Sequence, residues 1–195
     1  MIRWFRAAAV TLVLALRVAP AGAQAPTPIP AGTVQEGVLS FDGKATAGDF
    51  SGTTGTVNGE LAGGATLDLV TGFVEAPVKT LVTGNGRRDR DLNKSMESDT
   101  YPTIRFELAG VDSIRVEGDS TRASLRGTMK IHGVDREVAL PSVLHFTAGG
   151  VRVRSTFPLN LKDYRIGGLS KMLGMLKMHP DIVVHVDVLF DYHRH

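Results

Sequence analysis

From Ile104 to Phe190 this chain writes one pattern again and again, an apolar residue at every second position. Ile104, Phe106 and Leu108 alternate with Thr103, Arg105 and Glu107. Ala123, Leu125, Met129 and Ile131 alternate with Ser124, Arg126, Thr128, Lys130 and His132. Val151, Val153, Phe157, Leu159 and Leu161 alternate with Arg152, Arg154, Thr156 and Asn160. Ile182, Val184, Val186, Val188 and Phe190 alternate with Val183, His185, Asp187, Leu189 and Asp191. A period of two places each apolar set on one face of a strand. One wet face and one dry face is the signature of antiparallel sheet. Successive one-sided strands with little helix must bury a common inner face, in a barrel or a sandwich. An eight-stranded barrel is about wide enough to be filled by side chains or to hold one small ligand. The pattern points to a container rather than a catalyst.

The N-terminus follows a different rule. Arg3 and Arg6 precede an apolar run, Ala7 to Leu16, and Ala21-Gly22-Ala23 offers a small-residue cleavage site. Residues 1–23 read as a secretory signal peptide, with a second possible cut after Ala25. The run is too short for a permanent membrane anchor, and no cysteine is present to carry a lipid. A periplasmic or secreted destination is expected. The chain has 22 Lys+Arg and 20 Asp+Glu; removing Arg3, Arg6 and Arg17 leaves 19 against 20, a net charge of −1. A nucleic-acid partner, which needs a basic face, loses its support. The absence of cysteine also excludes disulfides, thiol catalysis and cysteine-ligated metals.

Residues 24–33 carry Pro26, Pro28 and Pro30 and read as a linker, leaving 34–192 as one β-barrel domain. The early part is rich in Gly, Thr and Ser, and strands are predicted near Val34–Asp42, Gly52–Leu61 and Thr66–Val70. Phe73–Val82 reads as a further strand with an irregularity at Pro77. Asn85 to Ser98 reads as a short helix turning Leu92 and Met96 inward, closing one barrel end. His132-Gly133-Val134-Asp135 reads as a hairpin turn. Leu169, Met172, Leu173 and Leu176 fall at i, i+3, i+4, i+7, which predicts a second short helical segment between Ile166 and Pro180.

Candidate sites follow from these faces. Phe106, Met129, Ile131, Phe146, Val153, Phe157, Val184, Val186 and Phe190 would line the barrel interior, either around a cavity or as a filled core. They include no charge, so a hydrocarbon would suit them and a polar substrate would not. Leu169, Met172, Leu173 and Leu176 would form a flexible portal or a homodimer contact. Arg87, Arg88, Arg90, Lys171 and Lys177 could meet an anionic head group or simply be a solvated face. His185, Asp187, Asp191, His193 and His195 share one parity, but the last two sit where chains fray, so no metal site is assigned. No nucleophile elbow, zinc motif or phosphate loop occurs, and neither an enzyme nor a cofactor is expected.

Several short motifs, taken in order, carry a resemblance. They are Thr83-Gly84-Asn85, then Arg88-Asp89-Arg90-Asp91-Leu92, and Tyr101-Pro102 before the strand with Phe106. Gly127 to Ile131 leads into His132-Gly133-Val134 and Val138, and Leu161-Lys162-Asp163-Tyr164 follows. Across about residues 34–190 the chain resembles the YceI-like family of exported, lipocalin-like proteins that bind polyisoprenoid or other long-chain lipids. The resemblance implies an eight-stranded antiparallel barrel, a short helix at its mouth and an apolar tunnel for a lipid chain. It implies carriage or sequestration of that lipid without catalysis. The alternative is a closed barrel scaffold acting through protein–protein contacts or through dimerisation of the Met/Leu-rich segment.

Overall fold

The computed structural model describes residues 28–46, 48–167, 170–171 and 176–193. The strands are β1 (Gly32–Gly43), β2 (Phe50–Thr54), β3 (Asn58–Gly63), β4 (Thr71–Pro77), β5 (Thr103–Glu117) and β6 (Ser120–Ile131). They continue with β7 (Val134–Phe146), β8 (Gly150–Asn160), β9 (Ser170–Lys171), β10 (Leu176–Lys177) and β11 (Asp181–Tyr192). Among the described residues one α-helix, α1 (Gly86–Ser95), lies between β4 and β5.

From β3 to β8 each strand pairs antiparallel with the next, as one-sided patterning requires. Closure comes from the two ends of the chain. β11 pairs with β8 on one side and with β1 on the other, from Gly32↔Tyr192 to Asp42↔Val183. A bulge between Val34 and Glu36 shifts the register along that seam. The other edge of β1 is taken by β2 (Leu39↔Thr54, Phe41↔Gly52) and then by β3 (Gly32↔Leu61) in the same register. β2 and β3 are therefore halves of one barrel strand, interrupted at Gly55-Thr56-Val57. The result is a closed eight-stranded antiparallel barrel.

Three local expectations give way. Thr66–Val70 is not a strand: Leu67–Leu69 forms a 3-10 turn whose backbone bonds close on itself, Val70 N–H donating to the Leu67 carbonyl. Phe73–Val82 stops being a strand at Pro77, which has no N–H for the ladder. The chain turns there through Val78–Thr80, and Val78 is fully buried with its N–H on the Pro102 carbonyl. In the Met/Leu-rich segment, Leu176 pairs with Lys171 and Lys177 with Ser170, so the described residues form an antiparallel strand pair instead of the predicted helix.

The helix and the hairpin form as read. The Asn85 side chain accepts from the N–H groups of Arg87 and Arg88, the usual N-cap arrangement. Asp89, in the first turn, accepts from both the N–H (2.8 Å) and the hydroxyl (2.6 Å) of Thr83. Those two bonds hold its carboxyl below the ordinary carboxylate range. At the β6–β7 hairpin His132 and Gly133 both have positive φ, 51° and 69°, as a tight two-residue turn demands. On the outer face, Asp187 accepts from Arg152 Nε (2.6 Å) and Arg154 Nε (3.0 Å). Partial burial opposes its ionisation, but the guanidinium bonds outweigh this and its carboxyl titrates low.

Two expectations follow. A Cβ at Gly133 would lie 2.6 Å from the Tyr101 ring, on a backbone that already disfavours L side chains. Gly133→Ala should therefore lower urea-unfolding stability by about 2 kcal/mol. Because the folded pKa of Asp187 is depressed, its contribution is present above the unfolded carboxylate pKa and lost as pH falls through the folded one. The melting-temperature gap between wild type and Asp187→Asn should thus shrink on acidification below the carboxylate range.

Candidate functional site

Inward-facing side chains form two packed clusters, one toward α1 and one toward the opposite end. Neither fills the bore. An upper cavity of about 480 Å³ lies beneath α1, and a lower one of about 110 Å³ lies beyond it. The upper volume falls within the range of small-molecule sites. Its walls include Phe41, Ile104, Ile131, Leu159, Ile182 and Val184, and the helix contributes Leu92 and Met96 from above.

The space depends on glycine paired with aromatic rings. Phe41 lies opposite Gly52 across the β1–β2 ladder, and a Cβ at Gly52 would collide with the Phe41 ring. Gly127 first admits the Glu107 carbonyl, which would lie 2.0 Å from an added Cβ, and it also leaves room for Phe106, whose Cε2 would be 2.9 Å away. With a bare backbone beside them, these rings can lie against the wall instead of crossing the bore.

Charge is kept to the rim. Arg87, Arg88, Asp49 and Asp91 border the upper cavity together with Asn85. The Arg88 guanidinium sits 4.4 Å from the centroid of the Phe50 ring, a cation–π contact that turns it over the opening. Glu75 also borders the cavity, but its carboxylate is held by Arg105 at 2.7 Å. The opposite lip is made by the segment before β11: Met178 bridges Ala45, and His179 N–H donates to the Lys44 carbonyl at 2.7 Å. Ile166 and Met178 border the cavity there.

The short motifs of the sequence meet at this rim. His132, half-buried with its side chain largely covered, places Nδ1 3.0 Å from the Tyr164 carbonyl and Nε2 3.4 Å from Glu97 Oε1. Its ring stacks edge-on against Tyr101 at 4.7 Å. Arg136 Nε donates to the Asp163 carbonyl at 3.1 Å. The β6–β7 hairpin, the loop after α1 and the 3-10 turn Leu161–Tyr164 are thereby tied together. Within the motifs, His132, Tyr101 and Asp163 brace the mouth, while Asn85, Arg88, Asp91 and Leu92 border the cavity itself.

The nine interior candidates divide between the cavities. Ile131 and Val184 border the upper one. Val153, Phe190 and Phe146 border the lower one, Phe146 at the far end and 37 % exposed. Phe106, Met129, Phe157 and Val186 touch both. Among the head-group candidates Arg87 and Arg88 reach the upper rim, while Arg90 is exposed on α1 away from it. Lys171 and Lys177 belong to the β9–β10 pair, but their side chains, like that of Leu176, lie outside the described residues. So do Leu169, Met172 and Leu173. His185 and Asp187, once weighed for metal, bind Asp42 at 3.0 Å and the two arginines respectively. Sequence reasoning missed Phe41 and Phe50 as wall and rim residues. The Gly52 opposite Phe41 was the available signal.

Comparison with solved structures finds the same architecture. A polyisoprenoid binding domain from Saccharophagus degradans, described as implicated in plant cell wall breakdown, superposes with a TM-score of 0.69 at 15 % identity. That match covers 85 % of this chain and 99 % of that one. BcnA of Burkholderia cenocepacia gives 0.63 at 11 % identity over 78 % and 95 % of the two chains. The YCEI protein of Campylobacter jejuni gives 0.52 at 15 % identity over 64 % and 73 %. At such identities the likeness is one of fold. Among curated proteins no match is found. The sequence signature of the YceI-like domain, however, matches residues 33–190, and the chain belongs to the YceI-like family.

Proposed function

We propose that this protein binds a long-chain amphiphile, a polyisoprenoid or similar lipid, and carries or sequesters it without changing it. The observation that carries this reading is the upper cavity of about 480 Å³, apolar along its walls and charged at its rim. Such a site can grip hydrocarbon by burial, and among the described residues its charged groups stand at the rim or, like Glu75, are already paired. The tail lies inside and the head at the rim, within reach of Arg87 and Arg88. The likeness to a polyisoprenoid binding domain supports the same ligand class. No helix among the described residues is long and apolar enough to cross a membrane. The N-terminal 23 residues, read as a cleaved leader, put the protein in a periplasm or outside the cell. There it would shield a lipid tail from water. Open space in the bore favours this reading over a filled scaffold that acts through dimerisation.

Native mass spectrometry of protein purified from its own compartment tests the reading. The expected result is a bound lipid, released on denaturation; repeated empty preparations that also take up no hydrophobic dye would sink it. Each buried CH₂ contributes about 0.8 kcal/mol, so affinity should rise with tail length until the accessible bore is full. Val184→Trp, which narrows the upper cavity, should shorten the longest tail accepted. Arg88→Glu should weaken an anionic lipid more than its neutral analogue, with the difference reduced by salt. Equal losses for both ligands would make Arg88 ordinary surface charge.

A further inference from the structure

The two cavities meet at a layer of five residues. Val74, Phe106, Met129, Phe157 and Val186 border both, and no other described residue does. Val74, Phe106 and Met129 are consecutive cross-strand partners on β4, β5 and β6. Phe157 and Val186 continue the layer on β8 and β11. Two aromatic rings and a methionine thus lie at one level, where the upper cavity gives way to the lower. Below them the lower cavity is bordered by Val111, Leu144, Val153 and Val188, among others. Its one polar side chain among the described residues is Ser155, whose hydroxyl already donates to the Pro141 carbonyl at 2.8 Å. A water molecule there would find almost no hydrogen-bond partner, and apolar cavities of comparable size stay dry and accept small apolar guests.

We propose that the lower cavity is a separate terminal subsite, which takes the last carbons of a hydrocarbon tail long enough to pass the five-residue layer. The inference rests on the lipid-binding reading above and adds a length gauge to it. Tails that end at the layer occupy the upper cavity alone. Longer tails displace Met129, the flexible member of the layer, and enter a site of about 110 Å³ that holds only a few carbons. Discrimination by length is therefore set by Phe106, Met129 and the volume behind them, not by the rim.

Methyl NMR of the full-length protein, titrated with straight-chain primary alcohols from octanol to octadecanol, tests this. Val184 and Ile182 report on the upper cavity, Val188 and Leu144 on the lower one. Every bound alcohol should shift the upper methyls, and only those beyond a threshold length should shift the lower pair. Past the threshold each further methylene should tighten binding about fourfold until the subsite is full. Val153→Phe, which fills the subsite, should remove that second gain, about tenfold or more for the longest alcohol, and spare octanol. Met129→Ala should lower the threshold, which keeps the test decisive if Val153→Phe folds poorly. Lower methyls that move with octanol, or stay still with octadecanol, would overturn the subsite while leaving the lipid reading intact. Failure of every alcohol to shift Val184 would instead overturn that reading itself.

Discussion

The seam between β1 and β11 is the constraint on which everything else rests. A sheet of one-sided strands must bury its apolar face, and an open sheet this long would leave two rows of unpaired backbone groups. Pairing Gly32–Asp42 with Val183–Tyr192 satisfies both rows at once and turns the apolar faces inward. The enclosed bore, the separation of charge to rim and outer wall, and the position of α1 over one end all follow from that ring. Removing the seam would not loosen one site; it would leave no interior.

Enclosure alone does not leave room. Eight strands form a bore that ordinary side chains can fill. Here Gly52 and Gly127 let the rings of Phe41 and Phe106 lie against bare backbone. A cavity costs dispersion contacts that a filled core would make. The barrel offsets that cost with a ladder that closes on itself and with the His132–Tyr164–Tyr101 bracing of its mouth.

Much of this was readable in the residues. The alternation along β5, β6, β8 and β11 gave the correct inward face at every position named, because a single wet face leaves a period of two in plain sight. The helix was readable from Leu92 and Met96, and the hairpin from His132-Gly133. The early strands were harder. Their glycines serve close packing and bulges, so the pattern that marks a strand is diluted where Gly stands for an inward residue. Thr66–Val70 alternates as a strand would, yet its backbone bonds close locally, which no side-chain period reports. The division of the bore into two cavities was invisible for another reason. It depends on which inward residues from five strands reach the same height, and that is a matter of register between distant segments, not of any one segment's sequence.

The same seam has a temporal side. The first strand finds its partner in the last, so the closing contacts span nearly the whole domain, and such contacts form late and slowly. A nascent chain cannot finish the barrel before Asp181–Tyr192 has been made. Until then its ends are apart and it remains threadable. On the route proposed above, through a translocation channel, such a delay would keep the chain passable. The topology that closes the ring at the end of synthesis also leaves the chain open until its last strand is made.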